Sequence, residues 1–185
     1  MDDFLTIGKS KAIDKFRDQI TGVYGKLKEK RGKHLSYLGL NITRRDNGDI
    51  TVDQTGYIES LLREYRVDSN TSKYPATSNL MHLSDDPSTV EEGDYLSLVM
   101  KLMFVATRTR PDILFPTVVL ATRSKNHLKT DYDRLIKVLE YLNGSRQKGL
   151  RYKSSGIIKL RMFVDAGFQT HQDAKGHTGF VIFPD

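Results

Sequence analysis

The chain has 185 residues, a net charge of +6 and no cysteine. The missing thiols exclude disulfides, thiolate zinc sites and thiol catalysis, and the length suffices for one domain, or one and a half, with a real core. The N-terminus opens on acids rather than on a basic start with an apolar core, so no signal peptide is expected. No apolar run approaches the ~20 residues that span a bilayer, so no membrane partner is expected; the compartment, intracellular and cytoplasmic or nuclear, stays open.

Asp2 and Asp3 lead into a short apolar run, Phe4 to Ile7, that reads as a strand. Adjacent carboxylates repel unless a cation sits between them; a frayed polar terminus is the plainer reading. Ser10 is a candidate cap for a helix with Ile13, Phe16, Ile20 and Val23 as its buried stripe. Lys26 to Lys33 is a basic loop suited to phosphates or simply to water. Ser36 to Arg45 reads as one strand, and Asn47-Gly48 as a hairpin turn returning through Asp49 to Asp53. A helix follows with Ile58, Leu61, Leu62 and Tyr65 on one face. Residues 68–93 are polar, hold Pro75 and Pro87, and read as a linker or wrapped loop.

Residues 94–153 carry the densest apolar periodicity. Tyr95, Leu98, Val99, Leu102 and Ala106 stripe a first helix behind Asp94. A second is expected from Pro111, which suits a first helical turn. Pro116 then lacks the N–H for the Asp112 carbonyl, so the helix starts later or kinks. A third helix has Asp131 near its start, Tyr132, Leu135, Ile136, Leu139 and Leu142 on one face, and Gly144 as a left-handed cap. Residues 149–153 are extended. Ile157 to Asp165 alternates as a strand, with Gly176 to Phe183 as its hairpin partner. The five histidines show no metal-ligand spacing.

Charge is unevenly placed. Residues 9–33 hold nine basic and three acidic side chains, residues 101–153 hold twelve and four, and residues 41–100 hold five and eleven. Two basic blocks around an acidic middle suit a polyanion-facing surface, or solvated helix faces. The candidate phosphate contacts are Lys26, Lys28, Lys30, Arg31, Lys33, Arg108, Arg110, Arg123, Lys125 and Lys129. Arg108 and Arg110 have the alternative of pairing with Asp112 and the acidic middle.

Seven segments, in order, resemble one family. MDDFLTIG resembles the end of a polymerase Tyr-x-Asp-Asp motif, with Met1 in the variable position. RGKHLSYLGLNI resembles the strand after it. VDQTGYIESLLREYRV, YPATSN, TRTRPDI, RLIKVLEYLNGSRQKGLRY and MFVDAGFQTHQDAKGHTGFVI follow in the family's order. The chain thus resembles the C-terminal part of the reverse transcriptase of copia-type long-terminal-repeat retrotransposons, running into its RNase H domain. The resemblance implies an α+β fold: the end of the polymerase palm in residues 1–67, a linker in 68–93, a helical thumb- or connection-like region in 94–153, and the first hairpin of an RNase H-like domain in 157–185.

It further implies RNA-directed DNA synthesis and RNase H cleavage, both by two Mg²⁺ ions roughly 3.5–4 Å apart. Asp2 and Asp3 would be the polymerase acid pair and Asp165 the first RNase H carboxylate, each of them a metal ligand. Each site needs more carboxylates than these, so the expectation is a fragment inactive by itself, separated from the rest of a polyprotein. Its partner in the intact enzyme would be an RNA/DNA primer–template. The alternative is a nucleic-acid-binding module without catalysis.

Overall fold

The computed structural model describes residues 4–85, 87–154, 159–169 and 176–184. Among them the fold is mixed α+β, with five α-helices and two small antiparallel sheets. The elements are α1 (Ser10–Tyr24), β1 (His34–Tyr37), β2 (Leu40–Arg44), β3 (Ile50–Asp53), α2 (Thr55–Glu64), α3 (Glu92–Arg108), a 3₁₀ turn (Pro111–Ile113), α4 (Leu114–Ala121), α5 (Lys129–Gly144), β4 (Leu150–Tyr152), β5 (Leu160–Gly167) and β6 (His177–Pro184).

The apolar stripes of α2 to α5 close on one another. Ile58, Leu61, Tyr95, Leu98, Leu102, Ile113, Leu120, Leu135, Leu139 and Leu142 are all essentially inaccessible to water, as their helical spacing requires. Tyr95 carries a hydroxyl into this core and satisfies it by donating to the Leu120 carbonyl at 2.8 Å; burial pushes that hydroxyl's pKa up. The α4 problem is solved by a 3₁₀ turn. Pro111 starts that turn, and α4 begins only at Leu114. Pro116 therefore falls in the first turn of α4, where an N–H has no intrahelical acceptor to lose.

Several expected features come out differently. Phe4 to Ile7 is not a strand: among the described residues no strand pairs with it, and Phe4 and Ile7 are exposed. No residue of α1 is buried, so the stripe from Ile13 to Val23 is not a core face here; Val23 is 74% exposed. The helix follows Lys9, and Ser10 lies inside it without capping. Gly144 is the last helical residue rather than a left-handed cap; Ser145 follows with φ −141°.

The single strand expected over Ser36 to Arg45 is a hairpin. Leu38 and Gly39 take φ of +47° and +78°, the pattern of a tight two-residue turn that matches strand twist. Tyr37 therefore pairs with Leu40. Gly39 supplies this conformation without cost, whereas Leu38 carries strain. The turn faces α3, since a Cβ on Gly39 would lie 3.8 Å from the Phe104 ring.

The first sheet runs in the order β1-β2-β3-β4. Its last pairing joins residues nearly a hundred positions apart, Val52 with Leu150 and Ile50 with Tyr152. Gly149 permits that approach: a Cβ there would stand 2.3 Å from the Val52 carbonyl oxygen. At the other end Asp49, almost fully buried, closes the joint. It accepts from the Ser154 N–H at 3.0 Å and from the Arg151 guanidinium at 2.6 and 2.9 Å. These donors hold its carboxyl at about 2, the Ser154 amide contributing most. The second sheet is the β5–β6 hairpin, registered from Leu160 opposite Pro184 to Gly167 opposite His177.

The stretch that follows α2 is tied to α5 rather than hanging from it. The Asn143 amide donates to the carbonyls of Val67, Asp68 and Asn70. The Ser72 N–H reaches the Glu140 carbonyl, and the Lys129 N–H reaches that of Ser88. His127 stacks on Tyr95 at 4.2 Å.

Two outcomes follow. Leu102→Ala should cost roughly 2–5 kcal/mol in a urea titration, while Val23→Ala should leave the midpoint nearly unchanged. The depressed Asp49 pKa adds stability that is present above the ordinary carboxylate value of about 3.9 and lost as pH falls toward 2. Asp49→Asn should therefore remove this part of the stability loss between those pH values.

Candidate functional site

The expected catalytic carboxylates belong to two separate half-sites, Asp2 with Asp3 and Asp165 by itself. Only Asp165 is among the described residues; Asp2 and Asp3 lie outside them. Asp165 is on β5 opposite Gly179, exposed, and two residues short of the strand end. It was expected to end its strand; pairing with β6 carries the strand on to Gly167. No group of three His, Asp or Glu side chains among the described residues could hold a metal ion.

The ten candidate cations divide into two sets by what surrounds them. Arg110 is 1% exposed. Its guanidinium forks onto Asp112, with Nε–Oδ1 at 2.9 Å and Nη2–Oδ2 at 2.7 Å, and donates to the Ser145 carbonyl at 2.9 Å and hydroxyl at 2.7 Å. The Tyr141 hydroxyl donates to Asp112 at 2.7 Å, and the Tyr141 ring stands 5.5 Å from the guanidinium. Burial pushes the Asp112 carboxyl up, but Arg110 and Tyr141 outweigh it and hold the group below its ordinary value. Arg110 is thus an internal tie, and phosphate contact is corrected to pairing with Asp112.

Arg123 is corrected in the same way. It pairs with buried Asp131 at 2.6 Å and donates to the Leu80 carbonyl at 2.8 Å. Arg134 adds a second cation on Asp131 at 2.9 Å and reaches the Asn79 carbonyl at 3.0 Å. Asp131 also accepts the Leu128 N–H at 3.2 Å, so one carboxylate caps α5 and staples the wrapped loop to it.

The remaining cations are exposed. Arg108 lies over the Phe104 ring at 5.0 Å, beside the β1–β2 turn. Lys129 pairs with Asp133 one helical turn on, at 2.8 Å. Lys33 pairs with Asp46, and Arg31 with Glu29 and with Asp14 at 2.7 Å. Lys26, Lys28, Lys30 and Lys125 are exposed.

Ser145, Tyr141 and Asn143 are structural partners that sequence reasoning did not single out. The spacing of the final α5 turn places them together, but only the fold sets Arg110 beside them. Two clefts flank this end of the molecule. One of about 580 Å³ runs along Glu59 and residues 143–148. The other, about 260 Å³, lies between the end of α3, β4 and β6. Among the described residues, no helix is long and apolar enough to cross a membrane.

Comparison with known proteins gives this geometry a context. The chain is 30% identical over 187 residues to a transposon Ty5-1 protein of Saccharomyces cerevisiae, covering 98% of the chain and 59% of that protein. It is 28% identical over 193 residues to the retrovirus-related Pol polyprotein from transposon TNT 1-94 of Nicotiana tabacum, covering 98% of the chain and 14% of the polyprotein. A mitochondrial protein of Arabidopsis thaliana is 26% identical over 149 residues, covering 80% of the chain and 61% of that protein. The chain thus spans about three fifths of the yeast and Arabidopsis relatives and a small part of the tobacco polyprotein. No family model matches, and no solved structure matches. The sequence is related to transposon-encoded proteins along nearly its whole length.

Because Arg110 is buried with its charge, truncating it strands Asp112 and the last turn of α5. Arg110→Gln should cost about 3 kcal/mol or more in chemical denaturation. Arg110→Lys should also destabilise, since an ammonium cannot reproduce the fork.

Proposed function

We propose that this chain is the part of a retrotransposon reverse transcriptase in which the palm gives way to a helical thumb- or connection-like region and then to the first hairpin of an RNase H-like domain. The observation that carries this reading is the similarity to a Pol polyprotein over 98% of the chain. In this reading residues 1–67 close the palm, 68–93 wrap the helices, 94–153 form the thumb or connection, and 157–185 open the RNase H-like unit.

The reading assigns these 185 residues a supporting role. Asp2 and Asp3 belong to one two-metal site and Asp165 to another, and neither has its full carboxylate set within this stretch. Magnesium would need further oxygen ligands at each. What the stretch supplies is a rigid helical body whose internal charges are already paired, to hold an RNA/DNA primer–template against catalytic groups contributed from elsewhere in the enzyme. The exposed apolar faces of β5 and β6, among them Met162, Val164, Phe180 and Ile182, suit a hairpin that packs into a larger domain.

The test is a primer-extension and RNA-cleavage assay on the purified 185-residue chain with Mg²⁺. No extension and no cleavage are expected. Extension that depends on Mg²⁺ and is lost in Asp2→Asn would overturn the supporting role.

A further inference from the structure

We propose that the nucleic-acid-contacting face of this protein is the module formed by α1 and the loop that leads to β1, through Lys9, Lys11, Lys15, Lys26, Lys28 and Lys30. Its ligand is the phosphate backbone of a nucleic-acid duplex. This rests on the reverse-transcriptase reading and names the surface that the reading leaves open.

The argument is one of charge already spent and charge left over. Residues 9–33 hold nine basic side chains and three acidic ones, Asp14, Asp18 and Glu29. All three acids are held by two arginines. Arg31 pairs with Asp14 and Glu29; Arg17 pairs with Asp18 at 2.8 Å, Asp14 at 3.4 Å and Glu29 at 3.7 Å. These pairs fold the loop back onto α1, so helix and loop form one surface. Lys33 is taken by Asp46. Six lysines remain, all exposed, and none pairs with a carboxylate among the described residues. Glu29 turns onto α1, while its neighbours Lys28 and Lys30 stay in water. The second basic block is spent more heavily: six of its twelve cations, Lys101, Arg110, Arg123, Lys129, Arg134 and Arg151, pair with carboxylates. Its exposed remainder, Arg108, Lys125, Lys148 and Lys153, is spread over more than forty residues rather than gathered on one helix and its loop.

The pattern favours nucleic acid over an anionic lipid surface. α1 does leave apolar side chains in water, Phe16, Val23 and Tyr24 among them, but a membrane-surface helix also carries strong basic charge on its own polar face. Here α1 itself has three basic and two acidic residues, a net of +1, whereas residues 25–33 have five basic and one acidic, a net of +4. The charge is on the irregular loop, which can follow a phosphate backbone.

The experiment compares two charge-matched variants of the full 185-residue chain: Lys26→Gln/Lys28→Gln/Lys30→Gln, and Lys73→Gln/Lys153→Gln/Lys159→Gln, the second outside every candidate phosphate contact. All six positions are exposed, so thermal melts should coincide with the parent's. Affinity for a fluorescent RNA–DNA duplex is measured by anisotropy between about 50 and 200 mM salt. The first variant should bind more than tenfold more weakly, with a log K against log[salt] slope shallower by about 2–3, at −0.9 per phosphate neutralised. The second should keep the parent slope. Should the triple variant fail to fold, Lys28→Gln alone carries the comparison, with a slope change of about 0.9. Equal losses in the two variants would overturn the assignment. So would no duplex binding by the parent at the lowest salt, or binding only to phosphatidylserine vesicles. Primer extension by the chain, which would overturn the supporting role above, leaves this comparison of slopes intact.

Discussion

A guanidinium with almost no access to water sets the terms for the helical half of this molecule. Arg110 sits just after α3, where the chain turns into the 3₁₀ segment that opens α4, and its donors reach Asp112 and the end of α5. A buried cation is tolerated only where its donors are met and its charge is balanced. Ser145 provides two acceptors, and Asp112 provides the countercharge, itself held by Tyr141. The tie therefore fixes the end of α3, the start of α4 and the last turn of α5 in one arrangement. The leucines and isoleucines between these helices then fill the space so defined, each adding burial but none specifying register as the fork does.

The second charge cluster does the same for the wrapped loop. Asp131 meets Arg123 and Arg134 together, and both arginines also reach carbonyls of the loop, those of Leu80 and Asn79. A polar stretch with little regular structure thus acquires a fixed course, because its backbone groups find partners on α5 and on Arg123 just ahead of it. The consequence for function is a division of labour. The helical body spends several of its strongest cations on its own architecture, and the N-terminal module keeps lysines that the fold does not use. A basic composition therefore does not translate into a uniformly basic surface.

The β5–β6 hairpin and α1 share an opposite condition. Both are well-formed elements by hydrogen bonding, and both leave large apolar side chains in water, Phe16 and Tyr24 on one and Met162 and Phe180 on the other. A two-stranded ribbon has little independent stability. Elements of this kind make sense within a larger assembly, as the relation to a much longer Pol polyprotein suggests.

The sequence by itself determined the helices of the core and much of their packing faces. Periodicity marked Tyr95, Leu98, Leu102, Leu135, Leu139 and Leu142, and all are buried, because an apolar stripe on a helix has only one favourable destination. It also marked the Asn47-Gly48 turn and the β5–β6 pairing, which are local. The stripe on α1 had the same periodicity and is not buried, since periodicity shows a face but not what covers it. The Leu38-Gly39 turn escaped because leucine is a poor residue for φ > 0, and only the pairing of β1 with β2 and the seat against Phe104 impose it. Tertiary structure alone decided the fate of the charges. Arg108 and Arg110 are two residues apart and chemically identical in the sequence. One lies on the surface over an aromatic ring and the other is inside with a carboxylate and a serine: the countercharge, Asp112, is local and was legible, but the burial and the Ser145 and Tyr141 partners come from residues distant along the chain.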